Sequence, residues 1–145
     1  YAHIANESNV KLVMEDTYNL LANATSAVVT SGTATLETAL WNVPQVVPYH
    51  TSKVSFAIAK ALIKVKYISL VNLISDKEVV KELIQNEMTP KNISTELLAI
   101  TEGNKRAEIL EDYKVLHNIM GQENASEKAA KLMVGYLTKE LANHT

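Results

Sequence analysis

The sequence predicts an α/β fold: a Rossmann-like parallel sheet with helices on both faces. Two observations predict it. Short β-branched runs alternate along the chain with stretches of helical periodicity, and one run, Ala27-Val28-Val29-Thr30, passes directly into a small turn, Ser31-Gly32-Thr33, that opens a helix. Strands separated by helices need crossover connections, which set the strands parallel and lay the helices over the sheet.

Each element can be justified in order. Val10 to Met14 reads as a strand and Asp16 to Ala24 as a short helix. Ala27 to Thr30 is a second strand, and Thr33 to Trp41 a second helix. Pro44-Gln45-Val46-Val47-Pro48-Tyr49 is a β-branched run fenced by prolines, a third strand with hard ends. Ser52 to Val65 repeats Val54, Ile58, Leu62 and Val65 at helical spacing, and Lys66 to Leu70 reads as a fourth strand. Ser75 with Glu78 three residues on forms a capping box, which predicts a helix over Asp76 to Asn86 and leaves Val71 to Ile74 as the loop before it. Helices over Pro90 to Thr101, Lys105 to Met120 and Ser126 to Leu141 complete the pattern. In the last, Ala129, Leu132, Met133, Tyr136 and Leu137 are most simply core-facing.

Composition narrows the function classes. The chain has 145 residues, 47% hydrophobic and 21% charged, which suits one globular domain spanning residues 1–145. A net charge of −2 offers no basic field for nucleic acid. The absence of cysteine excludes disulfides, thiolate metal sites and cysteine nucleophiles. No apolar run approaches the roughly 18 residues of a membrane span, and no signal peptide is expected.

The chemistry-bearing segment is Ser31-Gly32-Thr33-Ala34-Thr35-Leu36-Glu37. A strand turning through small residues into a helix leaves the first helical N–H groups unpaired at the positive end of the dipole, a seat for phosphate. The alternative is an ordinary turn with Ser31 or Thr33 as N-cap. Glu37 misses the capping-box spacing from either residue, so it is free to reach over the turn toward ribose hydroxyls or to face solvent. In open α/β sheets, ligands sit beyond the carboxyl ends of the strands, so the loops at Ser31–Thr33, Tyr49–Lys53 and Val71–Ser75 are expected on one rim. Asn72 brings donor and acceptor to its apolar loop, suited either to a nucleobase edge or phosphate, or to its own backbone as an Asx-turn.

Four segments then line up: Ser31 to Glu37, Pro44 to Tyr49, Tyr67-Ile68-Ser69-Leu70-Val71-Asn72-Leu73-Ile74, and Glu82-Leu83-Ile84-Gln85. In this order and register the chain resembles the carboxy-terminal half of the lipid-A-disaccharide synthases, densely from about Val28 to Gln85 and by helical pattern beyond. The resemblance implies the second, donor-binding half of a two-domain GT-B glycosyltransferase, with the amino-terminal acceptor domain outside this chain. It implies transfer of 2,3-diacylglucosamine from its UDP form to 2,3-diacylglucosamine 1-phosphate, giving lipid A disaccharide 1-phosphate and UDP. It also implies a cytoplasmic enzyme of lipopolysaccharide synthesis. Position by position, Ser31, Gly32 and Thr33 would hold the UDP diphosphate, Glu37 would face the ribose, and Asn72 would touch the nucleotide. Glu82 and Gln85, three apart on a predicted helix, would line the cleft, although a solvated polar stripe fits Glu82 equally. The family's proposed acid/base groups lie in the other half, so no catalytic residue is assigned and the piece alone is expected to be inactive. Val71 stands where the family often has Pro, and Pro48 where it often has Gly; neither change removes a proposed ligand group.

No cofactor is expected. His3, His50, His117 and His144 are scattered and there is no Asp-x-Asp pair, so departure of UDP aided by the Ser31–Thr33 turn rather than by a metal is the mechanism favoured. Phe56 to Lys66 mixes apolar residues with Lys60, Lys64 and Lys66, which reads either as the solvated side of a packed helix or as a peripheral contact with the inner membrane. The last helix, lacking its GT-B partner half, would leave apolar surface open to homo-oligomer formation. Two rivals stand beside this reading: another GT-B UDP-sugar transferase or epimerase, and a non-enzymatic nucleotide-binding module.

Overall fold

The computed structural model describes residues 9–52, 66–121 and 125–143. In chain order they form α1 (Thr17–Asn23), β1 (Ala27–Val28), α2 (Thr33–Leu40), β2 (Gln45–Tyr49), α3 (Leu70–Ser75), β3 (Lys81–Ile84), a 3-10 turn (Gln85–Glu87), α4 (Pro90–Thr101), α5 (Asn104–Met120) and α6 (Ala125–Asn143). The described strands make one parallel sheet in the order β1-β2-β3, with Val28 opposite Val46 and Pro48 opposite Leu83. The α/β class is therefore as predicted.

The core sits on β2. Consecutive strand residues face opposite sides, so the full burial of both Val46 and Val47 means that helices cover both faces of this strand. Ala39, Val71, Val80, Leu83, Ile100, Ile109, Tyr113 and Leu116 complete the cluster. Pro48 would cost a ladder bond in most central strands. Here Val46 accepts the last bond from the β1 side, from Val29 N–H at 3.0 Å, and Pro48 faces the same side just past that point, where its missing N–H breaks nothing.

Several expectations are corrected. Val10 to Met14 forms no strand and lies exposed. Lys66 to Leu70 is no strand either, and the helix and strand that follow are interchanged relative to the sequence reading: Val71 to Ile74 lies inside α3, and Lys81–Ile84 is β3. The true start signal is Ser69, in extended backbone, whose hydroxyl accepts from Asn72 N–H. Ser75 ends that helix, and Asp76 at φ 45° is its left-handed cap, so the supposed capping box is a helix stop. Val79 and Val80 lead a strand because both are buried and β-branched; the carboxylate of Glu82 argued for helix only until its partners were known. The predicted helix over Ser52 to Val65 lies outside the described residues, Ser52 excepted.

The three helices described after β3 start near their expected positions. Thr89 caps α4, its Oγ1 accepting from Asn92 N–H at 3.1 Å, and Pro90 fills the first helical position. The core-facing prediction for α6 fails: Leu132, Met133, Tyr136 and Leu137 are all exposed.

Candidate functional site: the turn at the start of α2

The Ser31–Thr33 turn leaves the carboxyl end of β1 and opens α2. Gly32 occupies the N-cap position with φ 147° and ψ −167°, a conformation open essentially to glycine alone. A Cβ there would meet nothing within 4 Å, so conformation rather than space demands the glycine. No side chain caps α2. The amides of Gly32, Thr33 and Ala34 have no partner among the described residues, and all three residues are exposed. Thr35 is drawn the other way, with its N–H and its hydroxyl both donating to Gly32 O, at 3.2 and 2.7 Å.

The underside of the turn is pinned by buried polar groups that the sequence reading missed. Fully buried Gln45 donates from Nε2 to Thr35 O at 2.8 Å and to Tyr113 Oη at 3.3 Å. Tyr113 Oη donates onward to Val43 O at 3.3 Å. Burial pushes the Tyr113 phenol well above the ordinary 10.0, and the Gln45 hydrogen bond offsets part of that rise. Gln45 Oε1 is buried without a partner. The only sequence signal was a polar residue at the head of an otherwise apolar strand.

Ser31 donates its hydroxyl proton to Ile68 O at 2.8 Å, which ties the turn to the loop before α3. Its side chain therefore has no proton to give to a phosphate in this geometry, and its outward offer is backbone. Glu37 is exposed one turn into α2, on the same helix as the open amides.

Asn72 and Glu82 lie inside, not on the rim surface. Asn72 is fully buried with both ends of its amide in use: Oδ1 accepts from Val79 N–H and Val80 N–H at 2.8 and 2.9 Å, while Nδ2 donates to Val80 O and to Glu82 Oε1, each at 2.9 Å. This is a backbone-satisfying role, with the amide closing the loop between α3 and β3 rather than the Asx-turn considered from sequence. Glu82 does not share a helix face with Gln85. It sits in β3, 6% exposed, where its carboxylate accepts from Ile68 N–H, Ser69 N–H, the Ser69 hydroxyl and Asn72 Nδ2. Gln85 follows β3 at the carboxyl edge of the sheet, in the left-handed region at φ 52°, with Nε2 buried and without a hydrogen-bond partner among the described residues. Such strain is sparse in non-glycine residues and gathers at functional sites. Tyr49 and the exposed His50 close β2 on this same edge.

The structure thus brings Ser31, Gly32, Thr33 and Glu37 together on one turn and helix, and Gln85 to the same edge of the sheet. Asn72 and Glu82 support this edge from within. Among the described residues no three His, Cys, Asp or Glu side chains gather as metal ligands, and no helix is long and apolar enough to cross a membrane.

Comparison with known proteins gives one answer. The family model described as lipid-A-disaccharide synthetase matches residues 2–135. The lipid-A-disaccharide synthase of Syntrophus aciditrophicus is 40% identical over 136 residues, covering 93% of this chain and 36% of that protein. The enzyme of the same name from Hahella chejuensis is 37% identical over 136 residues, covering 93% of this chain and 34% of its own length. That from Wigglesworthia glossinidia brevipalpis is 45% identical over 89 residues, covering 61% of this chain and 23% of its own length. The chain spans about a third of the length of these relatives. The resemblance carried by the four sequence segments therefore holds, and the chain belongs to the lipid-A-disaccharide synthase family.

Proposed function

We propose that this chain is the donor-binding part of a GT-B glycosyltransferase of lipid A synthesis. The complete protein takes UDP-2,3-diacylglucosamine as donor and 2,3-diacylglucosamine 1-phosphate as acceptor, and releases lipid A disaccharide 1-phosphate and UDP. The observation that carries this reading is the open start of α2, with three unpartnered amides beyond a glycine-only turn at the carboxyl end of β1.

When the sugar–phosphate bond breaks, its electron pair leaves on the diphosphate, and the growing charge must be met. The amides of Gly32, Thr33 and Ala34 meet it together with the positive end of the α2 dipole. Hydrogen bonds to a charged group contribute about 1.5–3 kcal/mol each, and the dipole about 0.3–1 kcal/mol. Glu37 accepts from the ribose hydroxyls. Gln85, whose Nε2 is buried without a partner among the described residues, would meet a donor oxygen only on turning its amide outward. Asn72 and Glu82 serve the nucleotide indirectly, by holding the loop that borders its seat. Acceptor binding and the acid/base step belong to the amino-terminal domain of the complete protein. Both substrates carry acyl chains, so the enzyme works against the cytoplasmic face of a membrane; the lysines interleaved with apolar residues over Phe56 to Lys66 support that contact. The exposed Leu132, Met133, Tyr136 and Leu137 of α6 support association with the other domain or with a second copy.

Calorimetric titration of the chain with UDP, UMP and uridine tests the reading. Affinity should rise from uridine to UMP to UDP, and Thr33→Pro, which removes one amide at a helix position that tolerates proline, should weaken UDP far more than uridine. A folded chain that binds none of the three would overturn the donor-binding reading.

A further inference from the structure

The geometry points to Glu82 as a positioning residue: a buried internal anion that fills the start of α3 and, through Ile68 and Ser31, holds the α2 turn in its phosphate-receptive form. This rests on the nucleotide reading above for its functional meaning, though not for its structural content.

Glu82 Oε1 accepts from Ser69 N–H at 2.9 Å, from the Ser69 hydroxyl at 2.8 Å and from Asn72 Nδ2 at 2.9 Å, and Ile68 N–H reaches Oε2 at 3.0 Å. These donors lie at the amino end of α3, where a helix most readily accepts negative charge. The carboxylate of β3 has taken that place. The amino end of α3 is closed to solvent, with Ser69, Val71 and Asn72 fully buried, whereas the amides that open α2 are exposed.

The same carboxylate reaches the α2 turn in two steps. Residue Ile68 is gripped at both ends: its N–H by Glu82 and its C=O by the Ser31 hydroxyl, at 2.8 Å. Ser31 directly precedes Gly32, whose extreme φ sets the direction of the free amides. Holding Ser31 on Ile68 therefore holds the turn.

Charge and positioning predict opposite signs for one substitution. If Glu82 were only a nearby negative charge, Glu82→Gln would tighten UDP. If it positions the turn, the same variant weakens UDP, because a carboxamide sets its own NH2 against the donors of Ile68 or Asn72 and at least one bond is lost. We expect UDP affinity to fall about tenfold, the coupling typical of linked side chains. Ser31→Ala should weaken UDP similarly, and the double variant should lose little more than either single one, since both break one chain.

Nuclear magnetic resonance of the free chain provides the second arm. In Glu82→Gln the Ile68 and Ser69 amides should exchange faster, and the order parameters of Gly32 and Thr33 should fall from the rigid range near about 0.85 toward 0.6. Should Glu82→Gln fail to fold, Ser31→Ala cuts the same link at a half-buried residue. There, loosening of Gly32 and Thr33 with Ile68 and Ser69 still protected supports the proposal, and an unchanged turn overturns it. A folded Glu82→Gln chain with wild-type turn dynamics, or with equal or tighter UDP binding, also overturns it. If the wild-type chain binds no UDP, the nucleotide reading falls, and the resonance arm still decides whether Glu82 holds the turn.

Discussion

Replacing Gly32 by Ala separates the conformational demand of the phosphate seat from ordinary stability. Gly32 sits at φ 147°, ψ −167°, where a residue with a Cβ is held at a cost of about 1–3 kcal/mol. The new methyl would touch nothing within 4 Å, so no steric clash adds to that figure. Gly103 is a matched control. It is the N-cap of α5 at φ 83°, ψ −163°, its added Cβ would likewise meet nothing within 4 Å, and it lies at the head of a helix outside the proposed seat. Both Ala variants should lose about 1–3 kcal/mol, a fall in Tm of roughly 2–12 °C for a chain of this size. Ligand binding should divide them. Relief of the strain rotates the Gly32 peptide and withdraws at least one amide; one hydrogen bond to a charged phosphate is worth about 1.5–3 kcal/mol, so UDP affinity of Gly32→Ala should drop roughly ten- to hundredfold. Gly103→Ala should bind as the wild type does. Thermal unfolding and calorimetric titration on the same samples read both effects. An equal loss of affinity in the two variants would refute the seat, and a Gly32→Ala chain of unchanged stability would refute the strain.

Three further outcomes follow from the buried polar groups and caps. Asn72→Ala strands Val80 N–H and Val80 O in the interior, while Val79 N–H keeps its bond to Lys77 O; at about 1–3 kcal/mol for each unsatisfied group, it should cost at least about 2 kcal/mol in a urea titration, and a loss below about 1 kcal/mol would show that the loop repairs itself. Thr89→Ala removes the α4 cap and should cost about 1 kcal/mol, seen as a lower urea midpoint with an unchanged slope. Tyr113 keeps its proton in the folded state at pH values where the unfolded chain has lost it. Its contribution is therefore complete below pH 10.0 and shrinks as pH rises above it. Tyr113→Phe should be slightly less stable at neutral pH, and its deficit should close above pH 10; a constant gap across an alkaline unfolding series would contradict this assignment.

Much of the site was legible because its chemistry is local. The turn with open amides follows from Gly32 between a strand and a helix, and the start of α4 from Pro90, all within a few residues. The error at Lys66 to Asn86 has a physical cause. Glu78, Glu82 and Gln85 look like a helix surface when solvent is assumed, and Ser75 then looks like its cap. Glu82 is instead a buried strand residue whose four donors come from 10 to 14 positions away. Local propensity could not outweigh partners it cannot see. The same blindness turned Asn72 from a rim ligand into a buried clamp, and α6 from a core helix into one with an exposed apolar face.

The sequence by itself determined the α/β class, the family and the position of the open helix start, because each depends on residue types and spacings a few positions apart. Only the tertiary structure decided which polar groups face outward. Whether Ser31, Asn72 and Glu82 meet a ligand or meet one another depends on bringing β1, the loop before α3 and β3 together, and the desolvation of a carboxylate is tolerable only where four donors converge on it.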